Sequence, residues 1–150
     1  MDLNSALKLA EIARKEAAKR GEKLAIAVFD TKSTLLAFLN MDIEETECVE
    51  YAQRKAVTAL RTDSDTKELS YLVKKPDGIL VSLRYDASIC LMGGGKLIRR
   101  NGVIEGALGV SGAAEAVDAE IADAVLHHGH VLHAGHIDPR PDKFHRLDVL

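Results

Sequence analysis

Lys55 is the residue whose type and spacing most directly suggest chemistry. Cys48, Ala52, Lys55 and Ala59 recur at helical spacing and would share one face of a helix. A lysine among small apolar side chains could direct its ammonium into a pocket and bind a carboxylate or propionate. Desolvation favours the neutral amine, which makes this lysine a candidate nucleophile or base. Alternatively, its stem packs on the core and its ammonium reaches water.

Acidic and hydroxyl residues form a second group of candidates. Asp42 follows a strand-like run and precedes a helix, so it could cap that helix or accept a hydrogen bond in a pocket. Glu115 and Asp118 are one helical turn apart, as in a metal-binding or acid/base pair, although solvated acids show the same spacing. Thr58 could donate to a ligand or pack between helices. We take Lys55, Asp42 and Glu115 as candidate catalytic residues.

Histidines are concentrated in HHGHVLHAGH, residues 127–136, which contains five of the six in the chain. Neutral imidazole binds haem iron, zinc and copper. The spacing of three among His130, His133 and His136 could bring two of them together on a helix, but the glycines of this segment disfavour a regular helix. These three histidines are candidate metal ligands, and the alternative is a polar C-terminal arm at a subunit interface.

Seven glycines fall in LMGGGKLIRRNGVIEGALGVSG, residues 91–112. A phosphate-binding loop would need Ser or Thr after Gly95-Lys96, where this chain has Leu97, and the dinucleotide fingerprint does not fit because two later glycines fall inside a strand. Glycine inside a strand often marks close approach by a ligand or another backbone. The block therefore predicts either close helix–sheet packing or a hollow that holds a ligand.

Two turns at the ends of this block could offer backbone amides to an anionic group. The first is formed by Gly93, Gly94 and Gly95, and the second by Ser111 and Gly112, which lead from a strand into a helix. Ser111 could instead cap that helix. Together with Lys55 and Thr58, these residues are the candidate ligand-binding set.

The elements that must position these residues follow from periodicity and turn signals. Helices are predicted at residues 2–20, 43–61, 62–75 and 111–128, and strands at residues 23–30, 35–42, 88–92, 96–100 and 103–110. Residues 77–87 are predicted to form a loop with a short helical turn. Asn101-Gly102 predicts a tight hairpin. The expected fold is α/β of the α+β kind, a five-stranded antiparallel sheet flanked by helices.

Composition narrows the class of protein. The chain has 150 residues, enough for one domain, and its net charge of −3 gives no electrostatic reason to expect nucleic acid or an anionic membrane. No apolar run approaches the roughly 20 residues of a membrane span, and the first residues lack the apolar core of a signal peptide. Cys48 and Cys90 are expected to be buried reduced thiols, which suits the cytoplasm.

Three blocks of sequence resemble the GlcG/HbpS haem-binding family, which includes the C-terminal domain of PduO. They are AIAVFDTKSTLLAFLNMD, AQRKAVTAL and GGGKLIRRNGVIEGALGVSGAAEAVDAEIADA, in matching order across about residues 5–128. The resemblance implies a profilin-like domain, homo-oligomers with an even number of subunits, and binding of haem or corrinoid-related ligands. Some members hold haem with a first-helix histidine, and the first helix of this chain has none.

These observations lead to one expected organisation. Residues 1–128 form the domain, and residues 129–150 form a His-rich arm that packs on a neighbouring subunit. The domain binds haem or a related tetrapyrrole in a pocket by the glycine-rich hairpin, and a tail histidine replaces the missing first-helix ligand. The alternative is a catabolic or biosynthetic enzyme that acts on a small carboxylate-bearing substrate.

Overall fold

The computed structural model describes residues 1–74, 83 and 85–134. For residues 129–134 it describes the backbone but not the side chains. The helices are α1 (Leu3–Lys19), α2 (Glu47–Thr62), α3 (Thr66–Val73) and α4 (Glu115–Ala134). The strands are β1 (Ala25–Asp30), β2 (Leu35–Asn40), β3 (Gly95–Arg100) and β4 (Val103–Ser111). The predicted loop at residues 77–87 lies largely outside the described residues.

The four strands form one antiparallel sheet in the order β2-β1-β4-β3. Two hairpins, β1–β2 and β3–β4, are joined through the central β1–β4 pair, in which Ala27 is opposite Gly109. The Asn101-Gly102 turn has positive φ at both residues, 53° and 77°, as the hairpin prediction requires. The first residues of β3 and the last residues of β4 therefore lie side by side at one end of the sheet.

The sheet separates two different hydrophobic clusters. On one face, α1 and α4 cover a cluster built from branched side chains, which includes Ile26, Val28, Leu108 and Ile121. On the other face, α2 covers a cluster in which alanines predominate. A three-layer arrangement follows, with two helices on one side of the sheet and α2 on the other.

Glycines bring α2 close to the sheet. A Cβ at Gly109 would collide with the carbonyl oxygen of Ala52, and one at Gly95 would collide with that of Lys55. Both oxygens belong to the backbone of α2, which therefore occupies the space that the missing side chains leave. Of the two predictions made for the glycine block, close helix–sheet packing is the one that applies at these two positions.

The sheet has four strands among the described residues, so the prediction of a fifth strand at residues 88–92 is wrong. The amides of this segment have partners outside any ladder. Ser88 N–H donates to Asp86 Oδ1, Ile89 N–H to the Asp86 carbonyl, and Cys90 N–H to Thr58 Oγ1. The amides of residues 88–90 therefore donate to acceptors in a turn and on a side chain, and not to a neighbouring strand.

The last helix differs from the prediction at both ends. Ser111 is the final residue of β4, paired with Ala25, and α4 begins only at Glu115, so Ser111 is not its cap. At the other end α4 continues through Gly129 to Ala134. The expectation that the glycines of residues 127–136 prevent a regular helix is therefore wrong for residues 129–134, because one glycine inside a helix costs only about 1 kcal/mol.

Candidate functional site

Lys55 and Asp118 form a buried ion pair at the centre of the candidate site. The Lys55 ammonium donates to Asp118 Oδ2 and to the carbonyl oxygen of Val110, each at 2.9 Å. Lys55 is 1% exposed and Asp118 is 2% exposed. Both sequence interpretations of Lys55 are therefore wrong, because its ammonium neither reaches water nor points freely into a pocket. Instead, the side chain joins α2 to β4 and α4.

The Asp118 carboxylate also holds the turn that leads into α4. Its Oδ1 accepts a hydrogen bond from Ala113 N–H at 3.0 Å, and the amide of Gly112 donates to the same carboxylate. Burial raises the pKa of Asp118, and the charge and hydrogen bond of Lys55, followed by the two amides, oppose that rise. The amide of Gly112 is therefore used by the protein itself.

The glycines before β3 lie directly beside this ion pair. Gly94 has a φ of +122°, and a Cβ there would lie 2.5 Å from the Val110 carbonyl oxygen and 3.1 Å from Lys55 Nζ. The Gly94 carbonyl accepts a hydrogen bond from Val110 N–H at 3.0 Å. Only glycine satisfies both the backbone conformation and the space, because the left-handed region and the close oxygen each exclude a side chain.

The amides of Gly93 and Gly95 and the hydroxyl of Thr58 also have partners within the chain. Gly93 N–H donates to Glu115 Oε1 at 3.0 Å, and Gly95 N–H donates to Thr66 Oγ1 at 2.8 Å. Thr58 is fully buried, and its hydroxyl oxygen accepts from Cys90 N–H. These groups therefore position the glycine block.

An open cleft lies between α3 and α4 with the glycine block as its floor. One part has a volume of about 370 Å³ and the adjoining part about 520 Å³, and both parts are lined by Lys67, Tyr71 and Ala119. Lys74 extends the α3 wall and Ala116 extends the α4 wall. This α3–α4 cleft lies where the sequence placed a pocket, beside the glycine-rich hairpin.

Lys96 connects the walls of the cleft. Its ammonium contacts Asp65 Oδ2 at 3.2 Å, at the start of α3, and Asp123 Oδ1 at 2.5 Å, on α4. Burial lowers the pKa of Lys96, but the hydrogen bond and charge of Asp123 and the charge of Asp65 outweigh it, so the net pKa is raised. Lys96 therefore links the start of α3 to α4 through two ion pairs.

The structure brings some sequence candidates together and leaves others apart from the cleft. Gly93, Gly94, Gly95 and Glu115 line it. Asp42 is an exposed residue with a φ of 58° in the connection before α2, whose N-cap is Thr46, so the capping interpretation of Asp42 is wrong.

The histidine candidates fall partly outside the described structure. Residues 130 and 133 lie within the backbone of α4, while His136 is outside the described residues. Among the side chains that the structure describes, no three His, Cys, Asp or Glu groups converge as metal ligands. The metal assignment therefore stays a prediction.

Sequence reasoning missed the residues that give the cleft its walls. The sequence analysis assigns Lys67, Tyr71 and Lys74 no role beyond a third helix, although their spacing of four and three places them on one side of it. Lys96 was considered only as a failed phosphate-loop lysine. Asp118 was noted as a neighbour of Glu115, but its partner Lys55 lies 63 positions away, a separation that helical spacing does not address.

Comparison with known proteins adds the family to this geometry. The family model described as "Haem degrading protein HbpS-like" matches residues 1–127. The chain belongs to the HbpS-like family. The resemblance inferred from the three sequence blocks is therefore confirmed. A search of curated proteins finds no match to this HbpS-like chain.

Solved structures of similar fold agree with the family. The Klebsiella pneumoniae protein ORFY is 25% identical with a TM-score of 0.79, and the match covers 86% of this chain and 90% of that one. A PduOC:haem complex is 25% identical with a TM-score of 0.75 and coverage of 83% and 91%. A double mutant of Streptomyces reticuli HbpS is 27% identical with a TM-score of 0.75 and coverage of 83% and 84%.

Two further observations concern the HbpS-like chain as a whole. Within the part of the chain that the structure describes, no helix combines the length and apolar character that a membrane span requires. Cys48 and Cys90 are both free, with Cys90 buried and Cys48 partly buried. Both thiols are free, as the sequence predicted, but the predicted burial is confirmed for Cys90 alone.

Proposed function

We propose that this HbpS-like protein binds haem or a related tetrapyrrole in the α3–α4 cleft. The observation that carries the proposal is the arrangement of Lys67, Tyr71 and Lys74 along α3, facing Ala116 and Ala119 of α4. Tyr71 is 67% exposed and offers an aromatic surface to a flat ligand. The two small alanines leave room for such a ligand to lie between the helices.

Two lysines of the cleft suit a ligand with two carboxylates. Lys67 and Lys74 are seven residues apart, which separates them by two helical turns, about 10 Å along the axis. Four of the five acids that line the cleft already have partners in the protein, and the fifth, Glu68, is exposed. Asp65 and Asp123 contact Lys96, Glu115 accepts from Gly93 N–H, and Glu120 pairs with Arg20. The two α3 lysines are therefore the cations best placed for propionates.

The iron ligand of this proposal comes from the end of α4. Helix α1 contains no histidine, whereas His127 is exposed and lies one turn beyond Asp123, which lines the cleft. Helical spacing puts residue 130 on the same side of α4 as Asp123. His130, His133 and His136 stay in the proposal as candidate ligands, with His127 added. Bound haem would supply a redox-active iron at this position.

The solved PduOC:haem complex, similar in fold, supports the choice of ligand, since that protein is crystallised with haem. Assembly into homo-oligomers with an even number of subunits, with the arm at residues 129–150 packing on a neighbour, belongs to the same proposal. In that case the histidines of one subunit could serve the cleft of another. Cytoplasmic location is likewise proposed from the family resemblance and the reduced cysteines.

Titration with haemin tests the proposal directly. We expect a shifted Soret band in the wild-type protein, and about tenfold weaker binding in a Lys67→Gln/Lys74→Gln variant, which corresponds to the loss of about 1.4 kcal/mol. Lys15→Gln, at an exposed position on α1, is the matched control and should bind as the wild type does.

Single substitutions of His127, His130, His133 and His136 by Ala would then identify the iron ligand, because loss of the imidazole that binds iron would change the position of the Soret band. Two results would contradict the proposal: no Soret shift in the wild-type protein, or equal affinity in the wild type and in the double lysine variant. A shift that survives all four histidine substitutions would remove residues 127–136 as the source of the ligand.

A further inference from the structure

We propose that the buried Lys55–Asp118 pair is a positioning device that holds the floor and one wall of the α3–α4 cleft in the shape that receives a ligand. The inference rests on the proposed function for the identity of that ligand. Its structural content, that one ion pair sets two walls at once, can be tested on the protein alone.

The Lys55–Asp118 pair is buried at a position where two charged side chains add little to the stability of the fold. Lys55 and Asp118 are both almost completely withdrawn from solvent and meet at 2.9 Å. Removing two charges from water costs several kcal/mol per ion, and apolar residues of similar volume often stabilise a fold equally well. The role of the pair is therefore better explained by the geometry that it imposes on its neighbours than by its contribution to stability.

On the floor of the cleft, the pair supports Gly94 from behind. The would-be Cβ of Gly94 has three near neighbours: the Val110 carbonyl oxygen, Lys55 Nζ and Asp118 Cβ, at 2.5, 3.1 and 3.2 Å. Val110 is bound on both sides, because its N–H donates to the Gly94 carbonyl and its own carbonyl accepts from Lys55. Displacement of the ammonium would therefore release both Val110 and the Gly94 peptide.

On the wall of the cleft, the same pair fixes the start and the rotation of α4. Asp118 accepts from Lys55 with one oxygen and from Ala113 N–H with the other. Ala119, the next residue, lines the cleft, and Glu115, one turn earlier, accepts from Gly93 N–H. The direction in which α4 presents Ala119 thus depends on the anchoring of Asp118 to Lys55.

A neutral version of the pair separates this positioning role from simple stability. Lys55→Met/Asp118→Asn keeps similar shapes and leaves no unpaired buried charge, so we expect it to unfold cooperatively. We expect about tenfold faster hydrogen exchange at the amides of Gly93 and Val110, with unchanged exchange in the β1–β2 hairpin, because only the local opening becomes easier. Haemin affinity should fall by about tenfold. Glu11→Gln/Arg14→Gln removes an exposed ion pair on α1 and is the matched control.

The outcomes distinguish this inference from the proposed function. A wild-type protein without a Soret shift would end the haem proposal, and hydrogen exchange at Gly93 and Val110 would still decide the positioning role. Unchanged exchange at both amides, or wild-type haemin affinity in the neutral variant, would overturn the positioning role.

A second variant covers the case in which the neutral pair does not fold. Asp118→Glu keeps the charge but lengthens the side chain, so the anchor of α4 moves relative to Lys55. We expect the same local increase in exchange at Gly93 and the same loss of haemin affinity. Exchange and affinity equal to those of the wild type would again overturn the inference.

Discussion

The two faces of the sheet are packed in different ways, although they share the same strands. On the face of α1 and α4, Ile26, Val28 and Leu108 keep the helices at a distance set by side-chain volume. On the face of α2, Ala27 and Gly109 let the carbonyl oxygen of Ala52 approach the sheet backbone. The first face is therefore sensitive to lost volume, and the second is sensitive to added volume.

The same difference explains where the buried charge lies. Because α2 lies close to the sheet, the side chain of Lys55 can reach Val110 near the end of β4 and Asp118 on α4. A helix held away by branched side chains would place the ammonium short of those partners. The alanine face is thus the side of the molecule from which the floor of the cleft is supported.

The largest effect is expected from Lys55→Met, which leaves Asp118 buried without its partner. We expect the free energy of unfolding to fall by about 3–5 kcal/mol, as for other buried pairs that lose one member. Urea unfolding of the variant and the wild type measures the difference. A loss below about 1 kcal/mol would mean that solvent or another cation reaches Asp118 without difficulty.

The pH dependence of this variant sharpens the same prediction. Burial raises the pKa of Asp118, and removal of Lys55 deletes the largest opposing interaction, so the pKa rises further. A carboxyl whose folded pKa exceeds its unfolded pKa stabilises the fold at low pH and loses that contribution as pH rises through the folded pKa. The variant should therefore lie closer to the wild type at about pH 5 than at about pH 8, and the reverse order would contradict the assignment.

Gly109→Ala tests the sensitivity of the α2 face to one added methyl group. The new Cβ would collide with the Ala52 carbonyl oxygen, and α2 would have to lift, at a cost of about 1–3 kcal/mol. Gly102→Ala is the control: it also adds one methyl group, but into open space, and its φ of +77° adds strain of about 1–2 kcal/mol. Thermal unfolding should show a lower Tm for both variants, whereas a crystal structure should show a displaced α2 only in Gly109→Ala. An unperturbed α2 in a structure of Gly109→Ala would contradict this comparison.

Ile121→Val gives the smallest of these effects and belongs to the opposite face. Removal of one methyl group from this fully buried residue should lower the free energy of unfolding by about 0.5–1.5 kcal/mol, with no movement of α4. Denaturant unfolding with an unchanged m-value is the check. A loss larger than that of Gly109→Ala would reverse the proposed contrast between the faces.

The sequence predicted the elements whose signals are local. The hairpin at Asn101-Gly102 and the first helix, which ends at Lys19 just before Gly21, are confirmed because turn chemistry and period act over a few residues. The segment at residues 88–92 has the composition of a strand, but its amides are taken by Asp86 and Thr58. The Asp86 acceptor is local, but no pattern within five residues reveals Thr58, which lies 32 positions from Cys90.

For the candidate site too, the sequence predicted only the features whose signals lie within a few neighbouring residues. Helical spacing identified Lys55 as a lysine on an apolar face, and the glycine block indicated the place of the cleft. The partner of Lys55 and the tie made by Lys96 depend on how α2, α3 and α4 meet across the sheet. These are tertiary contacts, and one sequence contains no direct record of them.

The pairing of the first helix with the last has a consequence for biosynthesis. Arg20, just after α1, forms an ion pair with Glu120 of α4, exactly one hundred positions later, and α1 and α4 share a single hydrophobic cluster. A growing chain on the ribosome can cover part of the apolar stripe of α1 with β1 and β2, but the part that packs on α4 stays uncovered until α4 has left the exit tunnel. Synthesis of nearly the whole domain must precede its closure, which makes this helix a natural client for chaperones that shield nascent chains.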